Sequence, residues 1–395
     1  MHCQGRPHIP KTMSAVPEHR DMFPDIAYID WIEGRPADAA YDLGSSDLRR
    51  APAEAGELVP PALAEAPTQD ATLEAQLAAT YGVDAENVLV TAGATHANLL
   101  AAVTALARAG DAETNEGDDE PVAADYRVLV EKPGYEPLLA TPAGLGATVD
   151  RFRRPAEDGY RLDPERVTAA AVEDTVLVTA TNRHNPSGSR ASRDDLAAVA
   201  RAAGDQEATL LVDEVYAPFD AEAGDGPFGG PTAAGLPNTV VTNSVTKFLG
   251  FGDLRIGWLV GDAEFVARAR SLDRHLEPVA EPSRRVAGRA LADADRLAAG
   301  SRERVRENSR ALAAFAEERS DLSGRVEPGC PYAFLAHESA DGDDVAAAAW
   351  ENGVLVVPGR FFDDPERFRI AACRDPETTR TGLDRLGDVL DSLAA

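Results

Sequence analysis

Lysine is almost absent from this chain: it occurs at Lys11, Lys132 and Lys247, and arginine supplies the rest of the 39 basic side chains. Lys247 stands inside an apolar, glycine-rich stretch, NSVTKFLGFGDLRIGW (243–258), where arginine would be this sequence's default cation. Arginine cannot replace an amine chemically. A primary amine forms an exchangeable Schiff base with an aldehyde and, once released, can carry a proton to and from carbon. Other polar residues close hydrophobic runs. Asp213 and Tyr216 end LLVDEVYAPF, Asn185 lies in the turn TNRHNPSG, and Tyr135 lies in EKPGYEPL. Gly93, Ala94 and Thr95 stand where VTAGATHANLL turns from strand to helix, and backbone N–H groups at a helix start make an anion site. Arg369 in ERFRIAAC offers a planar fork suited to a carboxylate, with Arg367 and Arg374 as close competitors.

The elements that must position these residues are legible as alternating patterns. ATLEAQLAATYG reads as a helix, ENVLVTAG as a buried strand and THANLLAAVTALARAG as a helix. Strand-like runs recur at YRVLVEKP, TVLVTATN, TLLVDEVY, TVVTNSVTK and RIGWLVG, with helical segments between or after them. That alternation predicts an α/β fold with a mostly parallel sheet, whose ligands collect outside the carboxyl ends of the strands. After about Pro278 the pattern changes to arginine-rich amphipathic helices, then YAFLAHE, a helix at DDVAAAAWENG, the strands VLVVPG and FRIAAC, and a closing helix. The expected division is an N-terminal segment (1–56) of helix and short extended piece joining the small domain, a large domain (57–280) and a small α+β domain (281–395). DAETNEGDDEPVAAD (111–125) reads as an exposed acidic loop.

Taken together, from about Leu73 to Ala372, these segments resemble the class I/II aminotransferases, the pyridoxal-phosphate (PLP) enzymes of fold type I. The resemblance implies a seven-stranded sheet between helices and a homodimer. It also implies PLP attached to Lys247, which would double as acid and base. By the same resemblance Asp213 pairs with the pyridine nitrogen, and Tyr216 and Asn185 donate to the cofactor's phenolic oxygen. Tyr135 stacks on its ring, while Gly93, Ala94, Thr95, Ser244 and Arg255 hold the phosphate. Arg369, with Asn185, takes the substrate α-carboxylate; VLVVPGRFF precedes it as the matching segment does in the family. Gly44 in LGSSDLR falls where the family has a substrate-contacting glycine. Two departures stand out. Thr246 replaces the usual serine, and PALAEAPTQDATLEA lacks the tyrosine that in many members reaches the neighbouring subunit's phosphate. The implied reaction is transamination between an amino acid and a 2-oxo acid. Elimination or cyclisation on the same residues is the alternative, since LGSSDLR resembles the capreomycidine synthase-like branch. A non-catalytic PLP-binding regulator is a remoter one, opposed by the short N-terminal extension and the acidity.

Composition narrows the partners. A net charge of −28, from 67 acidic against 39 basic side chains, argues against charge-driven binding to nucleic acid or an anionic membrane. With arginine so favoured over lysine, it is similar to proteins of salt-accumulating organisms and predicts halophilic behaviour. Cys3, Cys330 and Cys373 are too few and scattered for a disulfide framework or zinc site, so free thiols and no metal are expected. No apolar run is long enough to span a membrane, and MHCQGRPHIPKTM lacks a following apolar stretch, so a cytoplasmic location is expected.

Overall fold

A computed structural model of the chain describes the backbone of residues 23–113 and 126–394. The expectations for Cys3, for the first residues and for most of the acidic stretch 111–125 fall outside the described residues.

The chain opens with two short helices, α1 (Ala27–Ile32) and α2 (Arg35–Asp38), and a two-residue strand, β1 (Tyr41–Asp42). Helix α3 (Leu73–Tyr81) starts at Thr72, whose hydroxyl accepts from the Ala75 N–H, and stops at Gly82 in the left-handed conformation. The central sheet follows: β2 (Val88–Thr91), β3 (Arg127–Lys132), β4 (Thr148–Arg153), β5 (Thr175–Thr181), β6 (Thr209–Asp213), β7 (Thr239–Ser244) and β8 (Gly257–Val260). Their spatial order is β2-β8-β7-β6-β5-β3-β4, with β8 antiparallel to both neighbours and all other pairs parallel. The expected α/β fold with a mostly parallel seven-stranded sheet is therefore present.

Between these strands run α4 (Ala94–Glu113), α5 (Pro137–Gly144), α6 (Pro164–Ala170) and α7 (Arg193–Gly204), and after them α8 (Ala263–Asp273). Strand alternation divides the core into two layers. Val128, Val130 and Leu89 join one cluster with Ala97 and Leu100 of α4; Leu129, Val90, Leu210 and Val212 join the other. Strands buried on both faces read as continuous apolar runs, which is why their sequences are so uniform.

The C-terminal part comprises α9 (Glu281–Ala292), α10 (Ala294–Glu317), β9 (Leu322–Ser323), β10 (Tyr332–His337), α11 (Gly342–Glu351), β11 (Val354–Leu355), β12 (Val357–Pro358), β13 (Arg367–Ala371) and α12 (Pro376–Leu393). VLVVPG is not one strand. It changes partner at Val356: β11 pairs in parallel with β1, whereas β12 pairs antiparallel with β13. The first of these pairings seats the N-terminal segment against the C-terminal part. No described helix is long and apolar enough to cross a membrane.

Candidate active site

Because β2, β3, β5, β6 and β7 run the same way, the residues just past their carboxyl ends gather along one edge of the sheet. Gly93, Tyr135, Asn185, Asp213 with Tyr216, and Lys247 follow those five ends in turn.

The Lys247 ammonium lies 5.7 Å from the centroid of the Tyr216 ring. Its backbone carbonyl accepts from the Leu48 N–H at 3.0 Å, tying the lysine loop to the N-terminal segment. Burial pulls the amine down, but Tyr216 and Asp47 outweigh it and hold it above its ordinary value. The Tyr216 hydroxyl shares a 2.7 Å hydrogen bond with Ser46 Oγ.

Asp213 is buried, and burial raises its carboxyl; the Asn98 amide, the Val215 N–H and Lys247 act against that. Asn98 Nδ2 donates to Asp213 Oδ2 at 2.8 Å, and the Thr242 hydroxyl donates to Asn98 Oδ1 at 2.6 Å, so the amide can point only one way. Asn98 belongs to the first turns of α4, and its one sequence signal is a polar side chain on an otherwise apolar face.

Arg369 is 1% exposed. Its Nη1 donates to Asn185 Oδ1 at 2.7 Å, and Nη2 donates to the Gly44 carbonyl at 2.9 Å and the Tyr28 hydroxyl at 3.4 Å. Its Nε–H has no partner, and no carboxylate among the described residues pairs with it. The two competitors differ in this respect. Arg374 is neutralised by Asp42 and Asp47 at 3.1 and 2.9 Å, and Arg367 is paired with Asp364 at 3.3 Å.

Asn185 is set from behind. Its N–H donates to Thr181 Oγ1 at 3.0 Å, and Thr181 donates through both N–H and hydroxyl to Glu131, which is ion-paired with Arg154 in full burial. Tyr135 packs edge-on against Tyr28, ring centroids 5.8 Å apart, and burial lifts its phenol well above the ordinary value.

At the start of α4, Gly93 has φ +90°, and a Cβ there would sit 3.1 Å from Arg255 Nη2. A Cβ on Gly257 opposite would meet the Gly93 carbonyl carbon at 2.4 Å, so both positions need glycine for β2 and β8 to close here. The Arg255 guanidinium has no protein partner among the described residues. Ala94 and the exposed Thr95 form the first turn, whose N–H groups have no intrahelical acceptor. Ser244 is buried at the end of β7, its hydroxyl accepting from the Thr246 N–H at 3.3 Å. Sequence reasoning located these residues but missed Asn98, Ser46 and Tyr28, which reach the site from 115, 170 and 341 residues away from their partners.

An aldehyde cofactor carrying a phosphate fits this set: an amine for the aldehyde, free first-turn amides and an unpaired guanidinium for the phosphate, and a buried carboxylate for a ring nitrogen. Residues 29–386 match the family described as aminotransferase class I and II. The chain belongs to that family. Membership carries PLP as cofactor and makes the protein a PLP-dependent transaminase in the broad sense. Capreomycidine synthase of Streptomyces vinaceus is 27% identical over 75% of this chain and 79% of its own. Aspartate aminotransferase of Streptomyces avermitilis is 26% identical over 78% of this chain and 76% of its own. In fold, the chain resembles a PLP-dependent aminotransferase from Streptococcus suis, with a TM-score of 0.79 and 22% identity over 94% of this chain and 98% of that one.

Proposed function

We propose that this chain moves an amino group between an amino acid and a 2-oxo acid. The observation that supports this most directly is Arg369, a buried guanidinium held by three neutral oxygens, with one N–H unpaired and no counter-carboxylate among the described residues. A buried charge without its opposite is costly, and the α-carboxylate of a substrate supplies it. The planar fork then fixes how Cα is presented to Lys247.

PLP, when bound, supplies an electron sink for the carbanion at the substrate's Cα. In this reading Asp213, oriented by Asn98, keeps the cofactor's ring nitrogen protonated. Tyr216 and Asn185 donate to its phenolic oxygen, and Tyr135 packs on its face. Gly93, Ala94, Thr95, Ser244 and Arg255 hold the phosphate. The Lys247 amine attaches the cofactor and, once displaced, takes the proton from Cα and returns it. The reading includes a homodimer, a cytoplasmic location, tolerance of high salt and a domain division at about residues 56 and 280.

A lyase or cyclase is the second reading, favoured by the likeness to capreomycidine synthase. Product analysis separates the two. Incubation with PLP, an amino acid mixture and a 2-oxo acid should yield a new amino acid only when Lys247 is present. Lysine-dependent release of ammonia or a cyclised product without amino transfer would replace transamination by the second reading.

A further inference from the structure

Ser46 is 4% exposed and lies in LGSSDLR just past β1, a run in which the sequence pointed to Gly44 and gave Ser46 no role. Its hydroxyl meets the Tyr216 hydroxyl at 2.7 Å, and neither oxygen has another protein partner among the described residues. Between them two hydroxyls make one hydrogen bond, which leaves one hydrogen free. If Tyr216 is to donate to the cofactor's ring oxygen, its own hydrogen must be the free one, so Ser46 must be the donor.

We infer that Ser46 is a positioning residue for the Tyr216 phenol, aiming its hydrogen at the cofactor and making it a stronger donor. The inference rests on the PLP reading above and assigns this chain's own N-terminal segment a part in it. A donor on the phenol oxygen favours electron density there, which strengthens the O–H as a donor on its other side. The segment is fixed well enough to do this. The Gly44 and Ser45 N–H groups donate to Asp42 at 3.1 and 2.9 Å, Arg374 holds Asp47 at 2.9 Å, and the Leu48 N–H is bound to the Lys247 carbonyl. Ser46 is thus carried between anchors on both sides, one of them on the lysine loop itself.

A double-mutant cycle on the PLP-loaded full chain tests this, reading the midpoint pH of the Lys247-dependent visible absorption band instead of turnover. Weaker donation to the ring oxygen disfavours the deprotonated form of the linkage, so Ser46→Ala should raise the midpoint by about half a pH unit. In a Tyr216→Phe background the same change should move it by less than about 0.1 unit, because the interaction no longer exists. Ser46→Cys, which keeps the volume but is a poor donor, should behave like the alanine variant. An equal shift in both backgrounds, no shift from Ser46→Ala in the parent, or wild-type behaviour of Ser46→Cys would overturn the inference while leaving the PLP reading intact. Absence of a Lys247-dependent band in the parent protein itself would overturn both.

Discussion

Asp213 and Glu214 are adjacent buried carboxyls with different company. Asp213 has the Asn98 amide, the Val215 N–H and the nearby Lys247. Glu214 accepts from the Ala233 N–H at 2.6 Å and the Thr232 hydroxyl at 2.8 Å, and burial, the largest influence, pushes it up to about 8 from an ordinary 4.5. Between those values the folded chain keeps a proton that the unfolded chain has released. The stability Glu214 contributes is therefore full below about 4.5 and lost as pH rises through about 8, by up to about 1.4 kcal/mol per pH unit. Glu214→Gln removes the titration. In urea unfolding, the variant should gain on the parent by about 2 to 3 kcal/mol between pH 5.5 and 8.5; a constant difference would place the Glu214 proton elsewhere. At this scale Lys247 was legible because lysine is so rare here, and Asp213 because it ends an apolar run. Asn98, Ser46 and Tyr28 were not, since each is an ordinary residue whose meaning lies in a partner far along the chain.

Among the elements, α1 has six residues, too few to hold as a helix by itself, and it is pinned from outside. The Ala27 and Tyr28 N–H groups donate to the Glu136 carboxylate at 3.2 and 2.6 Å, while the Tyr28 ring packs on Tyr135 and Phe361. Tyr28 is thereby held against Arg369. Glu136→Ala should release α1, accelerate proteolysis near residues 26–34 and raise KM for the amino donor about 3- to 10-fold, with kcat changed less than about twofold. An unaltered digestion pattern with unaltered KM would mean that α1 is held without Glu136. Two features of the elements escaped the sequence for physical reasons. Strand β4, TVDRFR, was not singled out because Asp150, Arg151 and Arg153 interrupt its apolar pattern. At this sheet edge Asp150 is satisfied by Arg127, Arg151 by Asp363 and the Val130 and Glu131 carbonyls, and Arg153 is exposed to solvent. The break at Val356 was invisible because a change of strand partner leaves the period of two untouched.

For the whole molecule, the order strand, turn, helix carried the fold class, because parallel strands buried on both faces leave long apolar runs. The N-terminal segment was expected to join the small domain; its register against the C-terminal part, Tyr41 with Val354 and Asp42 with Leu355, is too short a match to read in advance, and Arg374 with Asp42 and Tyr28 with Phe361 add to that contact. A charge of −28 repels itself at low ionic strength, and molar salt, with a Debye length of about 3 Å, screens it. The thermal midpoint should therefore rise by several degrees from dilute buffer to molar KCl, and equal midpoints would contradict a salt-adapted surface. In the proposed reading Lys247 attaches PLP and moves the substrate's proton. Its most direct test is the visible absorption spectrum of the protein with PLP in molar KCl, wild type beside Lys247→Ala, before and after an amino acid mixture. The prediction is a band in wild type alone that bleaches as 2-oxo acid is released; a band that persists in Lys247→Ala, or one that forms in neither protein, would contradict it.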